Sequence, residues 1–492
     1  MHEGLFVLAG GALLAGTIGA AVVAHALRIP ALVLFLVIGM AAGSDGAGLI
    51  RFGDYDVARQ IGTLALSVIL FEGGLSGTIA ELRPVARPAV ALAVGGTILT
   101  AVLTGVAACV LLGLDLLDGL LVGAILASTD GAAVFALLRG SRLPGRLVRT
   151  LEGEAGLNDP VAVLLVVGLV DWRMHSGYGM ENMLSLFVTE LTIGAAAGVG
   201  IGLAGAALVR RATLPSLGLY PVLTIAIGAI AYGAADSLHG SGFLAVYLAG
   251  LCLSGMRPEE APTIATFHHG MAWLAQVTLF LTLGLLAFPA QLGAALVPGT
   301  LLAVFVACVA RPLAVTAVTA TEPFTPSERV LLSWAGLRGG VPVVLATLPV
   351  VAGVPGSARF FDVVFVVVVL STLVQGMTME PLARALGLLG GGPLRLEQLG
   401  WSAAHGDPAH PVALAGSTVV EHLLVRPDAA AALVVLGDGR YAITGPTVAL
   451  GPREALRGYA DERLLRAGAD AADRAWWGEL AATLRRPRAV DP

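Results

Sequence analysis

Apolar runs close to the ~20 residues needed to cross a ~30 Å hydrocarbon core recur along this chain from Gly4 almost to Leu389. Bounded by charged residues or by Gly and Pro, they fall at 4–26, 29–45, 57–77, 88–112, 116–138, 147–170, 183–209, 216–235, 239–255, 266–288, 293–318, 328–351 and 360–389. Beyond them, short polar runs separate apolar ones. Gly390-Gly391-Gly392-Pro393 reads as a hinge over 390–396, and Ala432 to Ile443 reads as two short strands around Gly437-Asp438-Gly439, a hairpin signal. The predicted architecture is an all-α polytopic membrane domain over 1–389, with about thirteen transmembrane helices, followed by a small cytoplasmic α/β domain over 397–492.

Charge gives these spans a direction. Alternate loops hold Arg28, Arg83 and Arg87, Arg139 to Arg149, Arg210 and Arg211, Arg257 and Arg329, whereas the opposite set holds only Arg51, Arg59, Arg173 and Arg359. The positive-inside rule then places the N-terminus outside and the tail in the cytoplasm. If spans 1–6 and 8–13 are two halves joined by span 7, span 1 runs inward and span 8 outward, so the halves are inverted repeats. The fifth member of each is interrupted in mid-membrane, at Ala127-Ser128-Thr129-Asp130-Gly131 and at Gly336-Leu337-Arg338-Gly339-Gly340-Val341-Pro342. Paired broken helices at corresponding positions of inverted halves point to a secondary transporter with its site at the midplane. Glycine alone would not decide this, because 64 glycines also serve close helix packing.

Composition agrees and narrows the chemistry. The chain is 57% hydrophobic and 13% charged, with a mean hydropathy of +0.85. All 29 basic residues are arginine, which excludes lysine-based Schiff-base or P-loop chemistry. Cys109, Cys252 and Cys308 fall in apolar stretches and read as small hydrophobes, so neither a disulfide nor a metal site is expected. No cofactor is implied, and a net charge of -5 without a basic run gives no sign of a nucleic-acid partner. The first span ends Ala24-His25-Ala26, which imitates a cleavage site, but it lacks a basic n-region and reads as a retained helix.

Six ionisable residues lie well inside the spans: Glu72, Asp130, Glu154, Asp159, Arg311 and Arg338. Each costs about 2.5–3.5 kcal/mol at a helix centre by insertion scales, so each needs a partner or a watery cavity. Four carboxylates and two guanidiniums form at most two one-to-one pairs, which leaves two acids to trade a cation for a proton. Glu154 and Asn158 share a helix face, whereas Asp159 lies about 100° further round and precedes Pro160. Glu154 therefore reads as one side of a structural salt bridge, and Asp159 as the functional acid. Asp130 and Thr129, at a helix break, suit either oxygen ligation of a cation or neutralisation of the half-helix end. His268 and His269 open span 10 and read as interfacial, while Trp273 and Trp334 read as packing or interface anchors.

The ordered set Phe71-Glu72-Gly73-Gly74-Leu75, Ser128-Thr129-Asp130, Glu154 through Asp159-Pro160, Gly242 to Gly250, Ala310-Arg311-Pro312 and Gly336-Leu337-Arg338-Gly339 resembles the NhaP-type monovalent cation/proton antiporters, most closely their potassium/proton branch. The resemblance implies a homodimer in which a six-helix core moves against a dimerisation domain, and Asp159 as the exchange carboxylate beside Asn158, as in electroneutral members. It further implies that Arg311 pairs with Glu154 and that Arg338 sits near Asp130, leaving Glu72 and Asp159 as the two free acids. Two positions depart from the pattern. Ala155 stands where many relatives have serine, which removes one hydroxyl from the ligand set; Gly131 stands where proline commonly follows the aspartate, which fits the potassium branch. The tail resembles the TrkA-C module of potassium transport proteins, a reading that implies a small-molecule regulator, against a generic cytoplasmic α/β domain.

The expectation is therefore a secondary antiporter of the bacterial inner membrane exchanging K+ for H+. The alternatives are a Na+/H+ antiporter of the same mechanism and a ligand-gated potassium channel. No filter sequence like Thr-Val-Gly-Tyr-Gly supports a channel. A membrane enzyme lacks a nucleophile–base or metal-ligand constellation at workable spacing.

Overall fold

The computed structural model describes residues 3–27, 29–130, 143–254 and 261–388 and, in the tail, 394–395, 418–426, 431–436, 441–444 and 449–451 with Leu480 and Ala482. Gly131 and the second half of span 5, Arg139, Arg142 and Arg257, the glycines of the hinge and the Gly437-Asp438-Gly439 turn lie outside the described residues. The chain divides into two compact units, one built from nearly all of the residues up to Leu386 and one that holds the tail.

The first unit is helical: α1 (Glu3–Leu27), α2 (Ala31–Ala42), α3 (Tyr55–Ser76), α4 (Ile79–Leu112), α5 (Leu116–Ala127), α6 (Gly145–Met174), α7 (Met180–Arg211), α8 (Leu219–Ser237), α9 (Gly242–Leu253), α10 (Ala261–Leu286), α11 (289–318), α12 (Pro326–Trp334), α13 (Gly340–Val351) and α14 (Ser357–Ala385). Helix ends agree with the predicted spans to within about a turn at most positions. Seven described helical runs are long and apolar enough to cross a membrane. The 12-residue helices α2, α5, α9 and α13 cover only ~18 Å each at 1.5 Å per residue, well short of the hydrocarbon thickness. For α5 and α13 the physical reason is plain: the predicted spans are broken, and each of these helices is one half.

Local sequence sets several of the helix starts. Asp54 accepts from the N–H groups of Asp56 and Val57 to open α3, Asp115 caps α5, Ser241 caps α9, and Thr325 with Glu328 forms a capping box at α12. α13 differs. It opens on Gly339-Gly340 with no side-chain cap of its own, so its orphan amides need a partner from elsewhere in the fold.

Burial singles out α6. In its most apolar stretch 83% of residues are buried, against 28% for α11, whose outward face carries Leu296, Val297, Leu301 and Val304. An apolar helix exposed on one side faces lipid, whereas one buried all round is central. The buried acids Glu154 and Asp159 therefore sit on the most deeply buried of the seven long apolar helices.

In the tail unit, β1 (Leu394–Arg395), β2 (Thr418–Arg426), β3 (Ala431–Leu436), β4 (Tyr441–Thr444) and β5 (Ala449–Gly451) form one antiparallel sheet in sequence order. β3 and β4 pair with Leu433 opposite Ile443 and Val434 opposite Ala442, the hairpin read from the sequence. Outside the strands the described tail residues are Leu480 and Ala482, both helical.

Candidate functional site

Two helix breaks meet at the centre of the first unit. After α5 the backbone turns extended at Ser128, and the N–H of Asp130 donates to the carbonyl of Leu337, 2.8 Å away, in the break between α12 and α13. In return Gly340, the first residue of α13, donates its N–H to Asp130 Oδ2 at 3.1 Å. Asp130 is therefore the missing cap of α13, a carboxylate at the positive end of a helix dipole. Of the two alternatives for Asp130, neutralisation of a half-helix end has a partner here, and that end is α13 rather than the end of its own broken helix. Glycine is required at 339, because a Cβ there would occupy the space of the Asp130 carboxylate.

Glu154, Asp159, Arg311 and Arg338 group around this crossing. Arg311, at the start of the last two turns of α11, forms a buried ion pair with Glu154 of α6. Arg338 donates from Nη1 to the carbonyl of Ser128 at 3.3 Å. Its guanidinium thereby satisfies backbone freed by the break, and it lies within electrostatic reach of Arg311 and Glu154. Ser128 donates its hydroxyl to Asp159 Oδ1 at 2.8 Å, and the Asn158 amide donates to the Thr129 hydroxyl. Successive residues of the first break thus hold successive residues of α6. Asn158 Oδ1 is buried and has no hydrogen-bond partner among the described residues. Pro160 brings no N–H, so the carbonyl of Gly156 loses its usual donor one turn on. Asp130, Asp159 and Gly156 line one cavity together with Ala155, Tyr247 and Gln276.

Glu72 is placed differently from the expectation of a free acid. It accepts from Ser76 Oγ at 3.1 Å, and His269 Nδ1 lies 3.7 Å from its Oε1. His268 is also more enclosed than a residue at the head of a span suggests. α10 begins at Ala261, earlier than the predicted span, so His268 lies two turns inside the helix, 2% exposed, with Nε2 2.8 Å from Thr224 Oγ1. Position within an apolar run gave no warning of either contact, because both partners are far away in sequence.

Sequence reasoning also missed a neutral polar brace on α14. Ser371 Oγ receives the N–H of Arg338 at 2.9 Å, Thr372 donates to its carbonyl at 3.0 Å, and Gln375 donates to the carbonyl of Trp334 at 3.0 Å. Three side chains on one face of α14 thereby replace the intrahelical bonds that the α12–α13 break gives up. The available signal was their i, i+1, i+4 spacing in an otherwise valine-rich run. Trp334 also bonds through Nε1 to Thr378 Oγ1 at 2.9 Å, consistent with an anchoring role.

Comparison with known proteins places this arrangement. A K(+)/H(+) antiporter NhaP of Alkalimonas amylolytica is 40% identical over 386 residues, 78% of this chain and 67% of the relative. A K(+)/H(+) antiporter NhaP2 of Shewanella sp. (strain ANA-3) is 41% identical over 382 residues, 77% of this chain and 66% of the relative. A Na(+)/H(+) antiporter ApNhaP of Aphanothece halophytica is 30% identical over 384 residues, 74% of this chain and 71% of the relative. The chain thus spans about two thirds of the length of the first two. In fold it is similar to the sodium proton antiporter MjNhaP1 of Methanocaldococcus jannaschii, with a TM-score of 0.65 at 22% identity over 77% of this chain and 99% of that one. The family described as "Sodium/hydrogen exchanger, transmembrane", a family of transporters rather than enzymes, matches residues 11–385. With its motifs, its crossed helix breaks and its relatives in agreement, this chain belongs to the sodium/hydrogen exchanger family.

Proposed function

We propose that the protein is a monovalent cation/proton antiporter that exchanges K+ for H+ by alternating access, with Asp159 as the carboxylate shared by the two ions. The observation that carries this reading is the charge balance of the crossing. Glu154 is cancelled by Arg311, Asp130 answers the N-terminus of α13, and the buried Arg338 guanidinium is turned to the Ser128 carbonyl. Asp159 is left in a cavity with a neutral hydroxyl on one oxygen. A buried carboxylate so placed is tolerated when it holds one proton or one cation, and the alternation of the two is electroneutral exchange. The hard oxygens around it suit an alkali cation: the hydroxyls of Ser128 and Thr129, the unpartnered Oδ1 of Asn158 and the freed carbonyl of Gly156. Glu72, held by Ser76 and close to His269, would act from outside this group.

K+ is favoured over Na+ because the relatives at about 40% identity bear K(+)/H(+) names, whereas the Na(+)/H(+) name belongs to a relative at 30%. The same reading includes thirteen crossings in a bacterial inner membrane, the N-terminus outside and the C-terminus inside, from the arginine asymmetry. It includes a homodimer, and a tail beyond a hinge at 390–396 that tunes exchange without contributing to the pathway. The test is addition of K+ or Na+ to inside-acidic vesicles holding the full chain and a quenched pH dye. K+ should relieve quenching at lower concentration than Na+; preference for Na+ would reverse the assignment of the ion, and a response to neither would overturn the exchange reading.

A further inference from the structure

Gln276 lies in the middle of α10, among Ala275, Val277 and Leu279. It is 7% exposed, and its amide nitrogen is buried without a hydrogen-bond partner among the described residues. It lines the same cavity as Asp130 and Asp159. A buried polar atom left unsatisfied costs free energy comparable to a lost hydrogen bond, so a native fold that keeps one usually reserves it for a ligand or water. Leucine or methionine would fill the same volume without that cost. The primary amide has one further property that matters here. Rotation about its last bond exchanges oxygen and nitrogen with almost no change of shape, so the group can accept from a protonated acid, donate to an ionised one, or ligate a cation through oxygen.

We propose that Gln276 is a cation-binding residue of the exchange site and a determinant of its affinity, supplying a neutral amide oxygen to the dehydrated ion that Asp159 neutralises. This inference rests on the assignment of Asp159 above. The geometry explains why a neutral group is useful in that place. Asp159 alone answers the charge of one monovalent ion, and a further carboxylate at 276 would give the cavity a charge that one ion cannot balance. An amide adds a ligand without adding charge. Ala155 lines the same cavity and carries no hydroxyl, so it is a position at which a replacement oxygen can be introduced.

The experiment uses the full chain in vesicles and three variants: Gln276→Met, which keeps length and volume but removes both polar atoms, Ala155→Ser, and the two combined. Removing one neutral ligand should raise the K+ concentration for half-maximal exchange roughly tenfold, as expected for the loss of one oxygen contact of ordinary strength. The maximal rate should stay within about twofold, because a neutral side chain takes no part in the proton's charge balance. Ala155→Ser should recover more affinity in the Gln276→Met background than it adds to the parent, because the new hydroxyl then fills a vacant ligand position; a purely structural role at 276 would make the two gains equal. The inference is overturned if Gln276→Met is inserted and active with unchanged half-saturation, or if only its maximal rate falls. Should Gln276→Met fail to insert, Gln276→Asn provides the reading: the shortened amide must shift half-saturation, and an unshifted value overturns the proposal. Failure of the underlying assignment looks different, because Asp159→Asn would then retain exchange whatever the outcome at 276.

Discussion

Asp159→Asn is expected to reduce cation/proton exchange to the level of empty vesicles while leaving the protein inserted and as stable as the parent. The substitution keeps the size of the side chain and its ability to accept the Ser128 hydroxyl, which meets Oδ1 at 2.8 Å. What it removes is the charge. An amide neither holds a proton for release nor neutralises a cation, so the cavity loses both of the states it alternates between. Thermal unfolding of the solubilised variant alongside the transport assay separates this outcome from misfolding. Residual exchange above background in a folded Asp159→Asn protein would move the exchanged charge to another residue.

Glu154→Gln is expected to have the largest effect on stability. Glu154 and Arg311 are 2% and 1% exposed, so the pair lies entirely away from water. The pair is made through Arg311 Nη2, and Nε and Nη1 have no hydrogen-bond partner among the described residues. Loss of the carboxylate strands a buried guanidinium, and breaking such pairs costs about 3–5 kcal/mol. Gly336 adds to the strictness of the site, since a Cβ there would come within 2.7 Å of Arg311 Nε and leave the guanidinium no room to shift. The same change should spare the charge of Asp159, so any folded fraction should still exchange. Replacing Arg311 together with Glu154 should restore stability beyond either single change, because the double variant buries no lone charge. Unfolding that is no higher in the double variant than in the singles would show that the pair contributes nothing as a pair.

The two helix breaks and the buried charges were legible in the sequence for the same reason: a charge or a Gly/Pro cluster inside an apolar run is conspicuous against its background. That Glu154 and Arg311 would pair came from family resemblance, while charge counting alone gave only the number of pairs. Counting also failed for Glu72, since it treats histidine as neutral and distant, and His269 of α10 sits 3.7 Å away. The capping of α13 by Asp130 could not be read locally, because the cap lies 210 residues earlier in the chain, at the other helix break. Neutral polar side chains were the main loss. Ser371, Thr372, Gln375 and Gln276 raise little contrast in a membrane helix, yet they satisfy or face groups on which the crossing depends. Span counting was limited by length: a 12-residue helix such as α9 joins the apolar residues on either side of it into one predicted crossing.

The central claim is that one carboxylate serves both ions, and it is tested most directly by measuring the K+ concentration for half-maximal exchange at a series of pH values in vesicles holding the full chain. If K+ and H+ compete for Asp159, that concentration rises as pH falls, by about tenfold per unit once the site is mostly protonated, because each K+ bound must displace one proton. A half-saturation that stays constant across the whole pH range would mean that the two ions occupy separate sites, and would contradict the account.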